Sequence, residues 1–152
     1  MPSVHSLNVS LGGVPKLPVS QVKVSLNGLE GDSHNDLKHH GGLSRAVCLY
    51  SLELIDDLKL EGHNIYPGST GENITIKGLD WNVLESGLKL KIGGVVIILT
   101  NPATPCNTIS SSFNLGNFSR ISVKKHPLWS RWYASVVQEG FMEVGDNVSL
   151  LL

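Results

Sequence analysis

Charge is the first thing this chain has little of. Only 16% of its 152 residues are Asp, Glu, Lys or Arg, against roughly 25% in an average soluble protein. Twelve basic and thirteen acidic residues leave a net charge of −1. Nucleic-acid binding depends on clustered cations that neutralise phosphates, so the composition excludes nucleic acid as a primary partner. It does not exclude a small anion, which needs only a few local donors. No stretch approaches the ~20 apolar residues of a membrane span. Met1-Pro2-Ser3-Val4-His5 carries neither the basic segment nor the apolar segment of a secretion signal. These features point to a cytoplasmic chain with no membrane partner.

Cysteine is scarce as well. Cys48 and Cys106 are the only two, and in a cytoplasmic chain they are expected reduced rather than bridged. The six histidines show no His-Glu-x-x-His spacing and the cysteines no Cys-x-x-Cys, which argues against a standard structural zinc site. A ferredoxin-like cysteine cluster and a flavin motif are missing, so electrons for any redox chemistry must come from elsewhere. Gly28-Leu29-Glu30-Gly31-Asp32 lacks the spacing of a dinucleotide fingerprint, and Pro67-Gly68-Ser69-Thr70-Gly71-Glu72-Asn73 lacks the Gly-Lys-Ser/Thr ending of a phosphate loop.

Glycine is plentiful, 16 of 152, where ~7% is usual. Low charge with many glycines describes a turn-rich β protein. Strand-like alternation recurs: Val22 and Val24 around Lys23, Ile74 and Ile76 around Thr75, and Leu88, Leu90 and Ile92 around Lys89 and Lys91. Gly93-Gly94 then predicts a hairpin turn into an apolar strand over 95–100. Residues 45–50 read as a buried strand, and 148–152 as the last one. One helix is expected over 52–61, with Ser51 as N-cap, Gly62 as stop, and Leu54, Ile55 and Leu58 as its apolar stripe. A second short helix or turn is expected after Pro105. No repeat or linker divides the chain, so residues 1–152 read as one domain. The expected fold is mainly β with one or two short helices, closed into a mixed β-barrel. A β-sandwich is the competing architecture.

Three segments carry chemistry. Cys106 follows the apolar run 95–99 in the turn Thr104-Pro105-Cys106. A rigid strand that ends in a proline-stiffened turn is a good mount for a thiolate ligand or nucleophile; the bland reading is a small buried hydrophobe. Cys48, inside an alternating strand, reads as core. His39-His40-Gly41-Gly42, with Arg45 just behind, suits an anion-binding nest as well as it suits a solvated turn. Asp32 either orients a histidine, His34 or His40, or caps a turn. Glu72 is open to roles as base, ligand or loop staple. In Trp129-Ser130-Arg131-Trp132-Tyr133, Arg131 fits an aromatic stack in a packed strand as well as it fits a site for a flat charged heterocycle.

Taken in order, Gly28-Leu29-Glu30-Gly31-Asp32, His39-His40-Gly41-Gly42 with Arg45-Ala46-Val47, Pro67-Gly68 with Gly71-Glu72-Asn73, Gly78-Leu79, Gly93 and Thr104-Pro105-Cys106 resemble the MOSC domain family over about residues 15–148. The family is named after the C-terminal domain of molybdenum-cofactor sulfurase. The resemblance implies a barrel similar to that of pyruvate kinase and a pterin-based molybdenum cofactor. Cys106 would be the metal ligand or sulfur carrier. His40, Gly41, Gly42 and Arg45 would hold the cofactor phosphate, and Thr70, Gly71, Glu72, Asn73 and Arg131 the pterin. Asp32 and His39 would support them. Among relatives are proteins that reduce N-hydroxylated compounds with electrons from a separate donor protein. Many relatives carry an arginine two or three residues before the cysteine; here that stretch is Asn101, Pro102, Ala103 and Thr104. The pyridoxal-phosphate lysine of the full sulfurase belongs to another domain, so that cofactor is not expected. Besides reduction of N-hydroxylated substrates, two readings stay open. One is a non-redox carrier of persulfide sulfur or cofactor that accepts it from a donor protein; the other is a hydrolase that activates Cys106 with a histidine.

Overall fold

The computed structural model describes residues 1–33 and 43–152. In chain order its elements are β1 (Ser3–Val9), β2 (Leu17–Val19), β3 (Gln21–Ser25), β4 (Gly28–Leu29), β5 (Val47–Ser51), α1 (Leu52–Leu60), β6 (Ile74–Lys77), β7 (Lys89–Ile92), β8 (Val95–Ala103), β9 (Arg131–Gln138), β10 (Gly140–Glu143) and β11 (Val148–Leu151). Short 3-10 turns lie at Leu43–Arg45, Trp81–Val83, Asn107–Ser112, Asn114–Gly116 and Phe118–Ile121.

Eight strands form one sheet in the order β11-β7-β8-β9-β5-β6-β1-β2, and β10-β3-β4 form a separate three-stranded ribbon. The expected mainly β fold with few helices is observed; the closed barrel is not. Closure requires the first and last strands of the sheet to pair, and β11 and β2 do not. β1 approaches the turn before β11 through one isolated bridge, Ser3 to Asn147, without a ladder. The ends of the sheet explain this. β2 is only three residues long and contains Pro18, which has no N–H to donate to a further strand.

The local signals read from the sequence act as expected at the centre. Gly93 takes φ +57 and turns the chain so that Ile92 pairs with Val95. Leu90 and Ile92 are buried while Lys89 and Lys91 are exposed. Ser51 caps α1, its hydroxyl accepting from the Leu54 N–H at 3.2 Å. Ile55 and Leu58 are buried beneath the helix, and Gly62 at φ +100 carries the chain away from it. The crossover through α1 makes β5 and β6 parallel neighbours, as such a connection requires. Elements then cover both faces of the sheet here. All five β5 residues are buried, and Thr75 of β6 is buried along with Ile74 and Ile76. Simple alternation in 73–77 does not hold, and the inward hydroxyl of Thr75 needs a polar partner.

Candidate functional site

β8 delivers the thiol. Beyond Ala103, Thr104-Pro105 leads to Cys106, which stands at the head of the turn Asn107–Ser112 in extended conformation. Its carbonyl accepts from the Ile109 N–H at 3.2 Å. Its Sγ lies 2.9 Å from Thr108 Oγ1, and the residue is half-buried. The sulfur is therefore held at a strand end, in touch with a hydroxyl and within reach of solvent.

Behind it, Cys48, Ala103 and Tyr133 form a small apolar cluster apart from the main core. Register builds this cluster: Cys48 of β5 faces Tyr133 of β9, and Ala103 faces Arg131. The Arg45 guanidinium lies 5.6 Å from the Tyr133 ring centre. Its turn is tied to β8 by Thr100 Oγ1 donating to the Ser44 carbonyl at 2.6 Å. The Tyr133 hydroxyl is pushed up to about 12, chiefly by burial, with Cys48 and Cys106 adding to the rise and Arg131 and Arg45 opposing it. It keeps its proton at neutral pH. Burial pushes the Cys48 thiol up to about 11, so Cys48 is a core thiol, as its strand position predicts.

A buried polar network underlies this cluster. Glu72 is fully buried. Its carboxylate accepts from the Gly68 N–H at 3.1 Å, from Thr70 Oγ1 at 2.8 Å and from Thr75 Oγ1 at 3.1 Å. Burial raises its pKa despite these donors. Of the three roles open to it from sequence, this geometry is that of a loop staple. Asn73 Oδ1 accepts from the Cys48 N–H at 2.9 Å, and its Nδ2 donates to the Asn8 carbonyl at 3.2 Å and to Asp32 Oδ2 at 2.9 Å. Asp32 also pairs with Lys16 Nζ at 2.7 Å and accepts from the Ser10 N–H at 3.0 Å. Arg131 is buried and donates from Nη1 to the Thr70 carbonyl at 2.6 Å.

The segments singled out in the sequence thus meet unequally. Cys106, Arg45 and Tyr133 come together at one end of the sheet. Asp32, Thr70, Glu72, Asn73 and Arg131 converge beneath it, engaged with one another and with backbone. Gly71 takes φ +81 and lets the 68–73 turn fold back on itself. His34, His39, His40, Gly41 and Gly42 lie outside the described residues. Among the described residues the cations over aromatic rings are Arg45 over Tyr133 and Arg120, 4.0 Å from the Trp129 ring centre. Sequence reading missed Lys16, Asn8 and Thr75 as members of the network. Asn8 meets Glu72 and Thr75 across 64 and 67 residues and Lys16 meets Asp32 across 16, so their local patterns carry no signal; Thr75 lies three residues from Glu72 but sits at the polar position of an alternating strand. Among the described residues no three His, Cys, Asp or Glu side chains are placed to share a metal ion. His63 Nδ1 accepts from the Asn114 N–H at 3.0 Å, and its Nε2 faces Glu61 at 3.6 Å. A shallow depression of about 230 Å³, lined by Gln21, Gly93, Gly94, Phe141 and Asp146 among others, opens at the start of β8, the length of that strand away from Cys106.

Among the described residues no helix is long and apolar enough to cross a membrane. The chain is 27% identical over 141 residues to the uncharacterized protein YflK of Bacillus subtilis, covering 91% of this chain and 63% of that one. It is 26% identical over 128 residues to protein YiiM of Escherichia coli, covering 82% and 56%. The chain thus spans about three-fifths of the length of these relatives. The crystal structure of YiiM from Geobacillus stearothermophilus superposes with a TM-score of 0.79 at 23% identity, over 100% of this chain and 76% of that one. That likeness concerns the fold. The MOSC domain model matches residues 36–149, most of the chain and the whole path from the Arg45 turn through Cys106 to β11, and the protein therefore belongs to the MOSC domain family.

Proposed function

We propose that this chain binds a pterin-based molybdenum cofactor through Cys106 and reduces N-hydroxylated compounds. The observation that carries the reading is the half-buried sulfur at the end of β8, beside Tyr133 and Arg45. A single thiolate suits a soft metal that brings its remaining ligands with it. Arg45 supplies positive charge for an anionic group near that metal. A buried guanidinium nitrogen without a partner, Arg131 Nε, adds a second place for one. These residues fit the cofactor. Thr70, Glu72 and Asn73 act at one remove, by shaping the turn from inside.

Reduction of a hydroxylamine or amidoxime takes two electrons and two protons. It breaks the N–O bond and releases the amine or amidine and water. When bound, the cofactor supplies the two-electron couple, recharged by an external donor protein. The chain's own residues hold and orient. Cys106 holds the metal. Tyr133, protonated at neutral pH, offers a hydrogen-bond donor rather than a charge, and the cluster of Cys48, Ala103 and Tyr133 keeps water from the sheet side.

The test is metal analysis of protein made in a cofactor-competent host. Wild type is expected to carry molybdenum and Cys106→Ser to lose it. Equal molybdenum in both, or none in the wild type, would defeat the reading. Cys106 is also placed to hand on a persulfide sulfur. Mass addition of one sulfur at Cys106 after incubation with a cysteine desulfurase, without molybdenum in the wild type, would favour that second reading.

A further inference from the structure

We propose that His63 is a proton-operated latch on the segment that follows Cys106: the neutral ring holds the Asn114 turn in place, and the protonated ring lets that turn go. The segment leaves the sheet at Ala103 and returns at Arg131, which face each other across β8 and β9. Between these ends, side chains tie residues 107–121 to the body of the molecule at Ser112, Asn114 and Arg120. Ser112 Oγ donates to the Ser69 carbonyl at 3.3 Å. The Asn114 N–H donates to His63 Nδ1 at 3.0 Å. Arg120 clamps Glu61 through Nε and Nη2 at 2.9 and 2.8 Å. His63 is itself fixed. Its backbone N–H donates to the Leu58 carbonyl of α1 at 3.2 Å, its ring stands edge-on to Phe113 with 5.3 Å between ring centres, and its side chain is 9% exposed.

The bond to Asn114 fixes the tautomer. Nδ1 accepts only when it carries no proton, so the neutral ring has its N–H on Nε2, which faces Glu61 Oε1 at 3.6 Å. A further proton puts an N–H on both nitrogens. Nδ1 then points a donor at a donor, and the latch cannot stay closed. Nε2 meanwhile gains charge toward Glu61. The groups that face the ring are Glu61 from the end of α1 with Arg120 behind it, the Asn114 N–H and the uncharged ring of Phe113; among the described residues no other charged side chain pairs with His63. Arg120 holds the Glu61 carboxyl below the usual carboxylate range, so Glu61 stays charged while a histidine titrates, and the change belongs to the ring. The turn itself is poised to open. Leu115 takes φ +56, a left-handed conformation that crowds its Cβ against the following carbonyl. It is 97% exposed, so no packing offsets that strain, and the neighbouring bond to His63 does. Buried Ile109 and Phe113 anchor the part nearer Cys106, which confines the release to residues 114–119. The latch rests on these contacts, not on the molybdenum reading.

The experiment is nuclear magnetic resonance of the full chain from about pH 8 to about pH 5, the range in which histidine changes charge. Imidazole nitrogen shifts report the proton on His63. Amide hydrogen exchange, corrected for its intrinsic pH dependence, reports the turn. At the upper end Nδ1 should be unprotonated and the Asn114 amide protected. As His63 takes up its proton, protection at Asn114 should fall roughly fivefold, the weight of one hydrogen bond, with the same midpoint, while amides inside β8 and α1 hold theirs. His63→Asn puts Oδ1 where Nδ1 stood, an acceptor with no charge to gain. It should keep Asn114 protected and remove the pH dependence. His63→Phe has no acceptor and should leave the turn open at every pH. Protection at Asn114 that is unchanged through the titration of His63, or a pH dependence that persists in His63→Asn, overturns the proposal. If the variants fail to fold, the wild-type titration decides by itself. Molybdenum content plays no part in these readouts, so the latch and the cofactor reading fail separately.

Discussion

Glu72 shows how one residue can serve the site without touching a ligand. Its carboxyl closes the 68–75 turn from within, joining Gly68, Thr70 and Thr75. Thr70 in turn offers its carbonyl to Arg131. Glu72→Ala strands three buried donors and is expected to cost about 3 kcal/mol or more in chemical denaturation. Glu72→Gln keeps an acceptor for Gly68 and Thr75 while the Thr70 hydroxyl rotates to accept, so it should fall within about 1 kcal/mol of wild type. The two also differ with pH. Burial raises the folded pKa of Glu72 above its ordinary unfolded value. Its contribution to stability is therefore full below the unfolded value and is lost as pH rises through the folded one. Denaturation midpoints taken from mild acid to pH 8 should fall in the wild type relative to Glu72→Gln; parallel midpoints would contradict this.

At the scale of elements, α1 is placed by its first turn. The Ser51 hydroxyl accepts from Leu54, and Glu53 Oε1 accepts from the Gly78 N–H at the end of β6 at 3.0 Å. At the far end, Glu61 receives a bidentate pair from Arg120 at 2.9 and 2.8 Å, which ties the 3-10 turns after Cys106 back to the helix. Arg120 holds the Glu61 carboxyl below the usual carboxylate range. This clamp is present at neutral pH and is lost as acid protonates Glu61. Ser51→Ala removes the cap and is expected to cost about 1 kcal/mol. The measurement is a shift of the urea midpoint with an unchanged slope. A changed slope would mean that the helix had come away rather than lost a cap.

At the scale of the molecule, one apolar cluster runs from Val4 through β5 and α1 to Val148. The ribbon contributes Val22, Val24, Leu29 and Met142 to it. A chain with one shared core should unfold in a single cooperative step. Tryptophan emission from Trp81, Trp129 and Trp132, far-ultraviolet circular dichroism and alkylation of buried Cys48 should trace one coincident transition. Separate midpoints would mean that the β10-β3-β4 ribbon opens independently of the main sheet. The sheet ends at β2 and β11, and the latter exposes Leu150 and Leu151.

What the chain alone determined is local. The Gly93-Gly94 hairpin, the Ser51 cap, the stripe of Ile55 and Leu58, the apolar strand β8 and the thiol turn after it all follow from signals a few residues long. The family was legible too, since its short motifs keep their order along the chain. Tertiary structure decided the rest, because it depends on residues distant in sequence. Whether the sheet closes depends on strands more than a hundred residues apart, and Pro18 with the separate ribbon leaves it open. Asp32 finds Lys16 and Asn73, and Thr75 turns inward because both faces of β6 are covered. Arg131 reaches the Thr70 carbonyl of the turn that Glu72 staples from within.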